Sequence, residues 1–174
     1  MKIFKGLLDQ AVLECLSSNL GIGEYFSHVG NLVTLEKAIM VIGILSPDFV
    51  EHDGHIFWCS NAHEYQLNPH PLNGLKQNGK GKLEVSQDRY DVERYRNNFS
   101  INQFFSTWEE SGDEKVFMVG LSKENYRLCH IFAERLEYYW REELVRHFPE
   151  RTFDFEITDD LLDEYGVCLT FFQS

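Results

Sequence analysis

Four metal-ligand residue types fall within one short stretch, His52-x2-His55-x3-Cys59-x3-His63, with Asp53 and Glu64 beside them. Imidazole and thiolate are good zinc ligands, and four of them in a tetrahedron close a structural site. The local chain already says how such a set would be placed. Asp53-Gly54 lies between two β-rich runs, which is the strongest short hairpin signal, because a type I′ turn needs positive φ at both central residues. With a two-residue turn His52 opposes His55, Glu51 opposes Ile56, Val50 opposes Phe57, Phe49 opposes Trp58 and Asp48 opposes Cys59. The two histidines then stand side by side. Cys59 shares their face but lies about 13 Å along the strand from His55, at roughly 3.3 Å per residue. A single ion cannot join it to both. The metal site expected from the spacing is therefore His52, His55 and a loop residue, His63 or His70, holding zinc or another divalent transition metal.

A second concentration is acidic. Between Glu150 and Glu164 stand seven carboxylates, Glu150, Asp154, Glu156, Asp159, Asp160, Asp163 and Glu164, against the single Arg151. The Asp-x-Asp-x-Asp-Gly order of an EF-hand is missing. A solvated sheet face explains such a run. So does a docking surface for a basic partner, where complementary charge gives on-rate and specificity. On the second reading Asp154, Glu156, Asp159, Asp160, Asp163 and Glu164 are the partner-binding residues.

Other motifs lack their context. Gly74-Leu75-Lys76-Gln77-Asn78-Gly79-Lys80-Gly81 matches the spacing of a phosphate loop, but Gly81 replaces the Ser or Thr that ligates magnesium. Asn68-Pro69-His70-Pro71 precedes it where a buried strand should be. Cys129 and His130 are adjacent, so on a helix they point about 100° apart and cannot pair with each other. Cys168 lies among Val167, Leu169 and Phe171 and reads as core.

The elements that would carry these residues follow from periodicity. Residues 6–19 and 31–45 read as helices, the second apolar on nearly every side after Glu36 and therefore expected to be central. The β-branched Ile39, Val41, Ile42 and Ile44 leave a strand open there. The stretch 61–82, rich in Asn, Pro, Gly and Lys, reads as a long surface loop. Residues 87–98 form a polar helix anchored by Tyr90 and Tyr95, and a short helix follows near Ile101. Ser122 caps a long helix over about 123–147, with an apolar stripe of Leu128, Ile131, Phe132, Leu136, Tyr139, Trp140, Leu144 and Phe148. Phe153, Phe155 and Ile157 alternate with Asp154, Glu156 and Thr158 as a half-buried strand.

The fold class expected is α+β in two layers, with a mainly antiparallel sheet of about five strands (49–52, 55–60, 115–121, 152–158 and 165–172). Helices 6–19, 31–45 and 123–147 would pack on one face. The 174 residues suffice for one domain, 1–174, and their 25 aromatics supply a core without disulfides or metal. Cys15, Cys59, Cys129 and Cys168 form no CxxC, and no signal peptide is evident, so free thiols in a cytoplasm are expected. No stretch is apolar and long enough to span a bilayer.

The net charge of −12 is carried as −5 on residues 1–75, zero on 76–110 and −7 on 111–174. That surface repels phosphate backbones, so no nucleic-acid partner is expected. In size and charge balance the chain resembles the small acidic proteins that neutralise basic nuclease toxins, a likeness of composition. The function expected is a non-catalytic acidic protein-binding module, possible partners being basic proteins. The alternative is a metal-binding protein or metal-dependent hydrolase built on His52, His55 and His63.

Overall fold

The Asp53-Gly54 turn forms as its chemistry requires. Asp53 has φ +50° and Gly54 φ +81°, and the two strands it joins pair in the register expected, from His52 opposite His55 to Asp48 opposite Cys59. These are β1 (Asp48–His52) and β2 (His55–Cys59) of a computed structural model that describes residues 7, 30, 33–105, 107–111, 114–118, 123–162 and 164–174. The expected helix over 6–19 lies, but for Leu7, outside the described residues.

The chain divides into two compact units, Met1–Leu45 and Ser46–Ser174. In the first, helix α1 (Leu35–Leu45) settles the helix-or-strand question for this stretch. None of its residues is buried among the described residues, and Leu35, Ile39, Met40 and Ile42 are each more than half exposed there.

In the second unit the order is β1, β2, α2 (Ala62–Leu67), β3 (Gly74–Gln77), β4 (Leu83–Ser86), α3 (Arg89–Arg96), β5 (Phe99–Ser100) and α4 (Ile101–Phe104). Then follow β6 (Thr107–Ser111), β7 (Glu114–Met118), α5 (Lys123–His147), β8 (Phe153–Leu161) and β9 (Glu164–Gln173). The stretch 61–82 holds α2, β3 and the turn into β4. Asn61 caps α2 by accepting from the backbone N–H groups of His63 and Glu64, and Tyr65 anchors it in a small core with Phe57, Cys59 and Val92. These elements are too short to show an apolar period.

The fold is α+β and its strand pairs are antiparallel, but the strands do not make one five-stranded sheet. Among the described residues they form four separate sheets, β1–β2, β3–β4, β6–β7 and β5–β9–β8. The physical reason lies in α3. In a hairpin closed at His52–His55, Ile56 and Trp58 turn their backbone groups away from β1. Those groups do not meet another strand. Glu93 Oε1 accepts from Ile56 N–H at 2.8 Å, Asn97 Oδ1 accepts from Trp58 N–H at 3.2 Å, and Asn97 Nδ2 donates to Ile56 O at 2.9 Å. The same two side chains reach the edge of β9. Glu93 Oε2 accepts from Gln173 N–H at 2.7 Å and Asn97 Nδ2 donates to Phe171 O at 3.0 Å. Both side chains are fully buried. The hairpin and the terminal sheet are thus stitched edge to edge by side chains, which interrupts what would otherwise be a backbone ladder.

Two helices of this unit take opposite sides of the terminal sheet. α5 covers the side of the terminal sheet that carries Phe171, where the Trp140 ring meets it at 6.1 Å. α3 covers the other side, with Tyr90 against Phe172 at 4.5 Å and Thr170 Oγ1 donating to Arg94 O at 2.7 Å. Side chains alternate across a strand, so consecutive residues 170, 171 and 172 serve opposite helices. α5 has the bounds expected, but its buried stripe is Cys129, Ala133, Leu136, Trp140 and Leu144, while Tyr139 is exposed. Trp140 gathers Phe49, Trp58 and Phe99 as well as Phe171, with ring centroids 5.5 to 6.3 Å away.

Candidate binding surfaces

The hairpin tip holds two of the three expected metal ligands side by side, yet each has local business. His52 Nδ1 shares a hydrogen bond of 3.2 Å with the Tyr65 hydroxyl. His55 Nδ1 donates to Asp53 O at 3.2 Å, and its ring stacks on Phe57 with centroids 5.8 Å apart. His63 is exposed on α2. His70 instead packs edge-on against Tyr65 and Phe57, and burial and the nearby Arg96 hold its pKa down. Among the described residues no group of three or more His, Cys, Asp or Glu side chains is placed to hold a metal ion.

The described cysteines are packing groups. Cys59, Cys129 and Cys168 are all buried and free, and burial is the main cause raising each thiol pKa, to about 11 for Cys168. The Cys168 thiol donates to Gly166 O at 3.4 Å. At neutral pH Cys168 is therefore held as the thiol and not as the nucleophilic thiolate. These three thiols should therefore resist a small alkylating reagent in the native protein at pH 7 and react on unfolding. Rapid modification of any of them in the folded state, read by peptide mass, would contradict the packing role.

The acidic segment is strand β8, its turn and the start of β9. Four of its carboxylates have internal partners that the sequence does not announce, because each is distant along the chain or at its end. Arg94 on α3 grips Glu156 with two hydrogen bonds, Nε to Oε2 at 2.6 Å and Nη2 to Oε1 at 2.8 Å. This pair, with the hydrogen bond as the larger cause, raises the Arg94 pKa further. His130 Nε2 lies 2.9 Å from Asp159 Oδ1. Gln103 Nε2 donates to Glu164 Oε2 at 2.6 Å, and Ser174 Oγ donates to Asp154 Oδ2 at 2.7 Å. Asp154 and Asp159 nevertheless keep open faces to solvent, Asp159 with half its side-chain surface exposed. Asp160 pairs with Tyr165 through the backbone register, and Asp163 lies outside the described residues.

Beside this surface is a polar cleft of about 240 Å³ lined by Lys76, Gln77, Tyr90, Asp91, Arg94 and Leu162. Its most basic group, Arg94, is the one that holds Glu156, and Asp91 accepts from the Ser86 hydroxyl. Among the described residues no helix is long and apolar enough to cross a membrane. Comparisons with protein-family models, with curated proteins and with solved structures find no match to this chain.

Proposed function

We propose that this chain is a non-catalytic acidic module that binds a basic protein through β8 and the start of β9. The observation that carries the reading is the arrangement of β8. Its carboxylates are anchored by Arg94, His130 and Ser174, so they are held in place, and Asp154 and Asp159 still face water. Carboxylates held in place lose less side-chain entropy on docking than free ones would. The chain's net charge of −12 has the sign that steers a basic protein toward it.

The test is quantitative capture with the tagged full chain, comparing wild type with a variant carrying Asp154→Asn and Asp159→Asn. Both proteins should fold. The wild type should retain basic proteins that the variant loses, and this retention should fall steeply as salt rises from 50 to about 300 mM, where screening shortens the reach of surface charge below ~10 Å. Identical retention by both proteins at low salt would remove the reading.

A further inference from the structure

The backbone of β8 offers more than charge. β9 sends Phe171 O and Gln173 N–H toward Asn97 and Glu93, away from β8. In an antiparallel ladder the residues opposite these, Phe155 and Phe153, must also turn their backbone groups outward, as must Ile157 one step further on. Among the described residues β8 is the last strand of its sheet. Arg141 Nη1 donates to Phe153 O at 3.1 Å, which closes that end. At the other end the register shifts between Thr158 and Asp160. Between the two, among the described residues, the N–H and C=O groups of Phe155 and Ile157 face no strand.

We propose that this short edge is a β-augmentation site that takes an extended basic segment, with Lys or Arg at alternate positions and apolar residues between them. The proposal rests on the acidic-module reading and specifies its mode. An added strand would satisfy the outward groups of Phe155 and Ile157, which supply affinity through the main chain. On one face its side chains would lie beside the exposed Asp154 and beside Glu156, whose carboxylate Arg94 already holds, so Asp154 is the open charge there; opposite charges across a strand pair are favourable and like charges are not. On the other face they would lie beside Phe155 and Ile157, next to α5. The same rule argues against a second copy of this chain as the occupant, because two β8 strands would set carboxylates against carboxylates. Acidic residues on an edge also guard against indiscriminate pairing. A guarded edge repels apolar and acidic strands but still admits a basic one.

The probe is an eight-residue capped peptide alternating Lys and Val, titrated into the full chain at low salt, with amide hydrogen exchange read by NMR. A second peptide of the same sequence is N-methylated at the valines, or in a separate synthesis at the lysines, so that one version lacks the donors that face Phe155 O and Ile157 O. A third replaces Lys by Glu. The expected result is saturable binding of the first peptide, slowed exchange at the Phe155 and Ile157 amides, and binding roughly tenfold weaker for one methylated version, as loss of two hydrogen bonds implies. The Glu peptide should not bind. Equal binding by all the Lys peptides, with no protection at Phe155 or Ile157, would overturn the edge site while leaving charge-driven docking standing. Absence of binding by any Lys peptide would overturn the edge site as well, and the capture experiment then decides the acidic-module reading separately.

Discussion

Replacing Glu93 with Ala should destabilise the protein by about 2–6 kcal/mol, measured by denaturant unfolding. The side chain is fully buried and accepts from Ile56 N–H, Gln173 N–H and Gln173 Nε2. Removing it strands one buried backbone donor, Ile56 N–H, and one half-buried donor, Gln173 N–H, and each orphan costs about 1–3 kcal/mol. Water entering the space can recover part of this, which sets the lower end. Glu93→Gln separates hydrogen bonding from packing. Its volume is nearly the same, but whichever position its NH2 takes, that group faces an N–H donor. It should therefore also destabilise, by about 1–3 kcal/mol. Because the carboxylate joins β2 to β9, exchange of the Ile56 and Gln173 amides should quicken first in both variants. A stability within 0.5 kcal/mol of wild type for Glu93→Gln, on the order of an ordinary surface change, would mean that the stitch is not what holds the hairpin to the terminal sheet.

Trp140→Ala should cost about 3–5 kcal/mol, the usual range for emptying a large aromatic site in a core. Trp140 is 1% exposed and lies where both structural halves of the unit meet: Phe49 and Trp58 from the hairpin, Phe99 and Phe171 from the terminal sheet. The contacts come from four separate stretches of chain, so no single element can relax to fill the cavity. Trp140→Phe keeps part of the ring volume and should lose clearly less. An unchanged melting temperature for Trp140→Ala would place the α5 stripe outside the core.

These two residues mark what could and could not be read from the chain. Trp140 is legible because it belongs to a long apolar period that stops at the blocking Pro149. The hairpin register is legible because Asp-Gly admits few turn geometries. Glu93 is not legible. It stands in the polar run Arg89-Tyr90-Asp91-Val92-Glu93-Arg94, where a carboxylate reads as solvated surface, and only the meeting of two strand edges makes it core. That is why the hairpin β1–β2 does not continue into the sheet of β8 and β9. The acidic segment shows the same limit. Its charges are plain in the sequence, but their fixing by Arg94, His130 and Gln103 depends on contacts 29 to 62 residues apart. For the histidines, the period-two face of the hairpin correctly places His52 beside His55. The pull of Tyr65 on one ring and of the turn carbonyl on the other is set by tertiary packing and turn geometry.

The most direct measurement of the proposed role is zero-length carbodiimide coupling in a native extract, followed by mapping of the joined peptides. This chemistry links a carboxylate to an amine only when the two are in contact. The account predicts links from Asp154 or Asp159 of β8 to lysines of a captured basic protein, suppressed by added salt and absent from the Asp154→Asn, Asp159→Asn variant. Links confined to carboxylates elsewhere, such as Glu134 and Glu142 on α5, and unaffected by that variant, would contradict it.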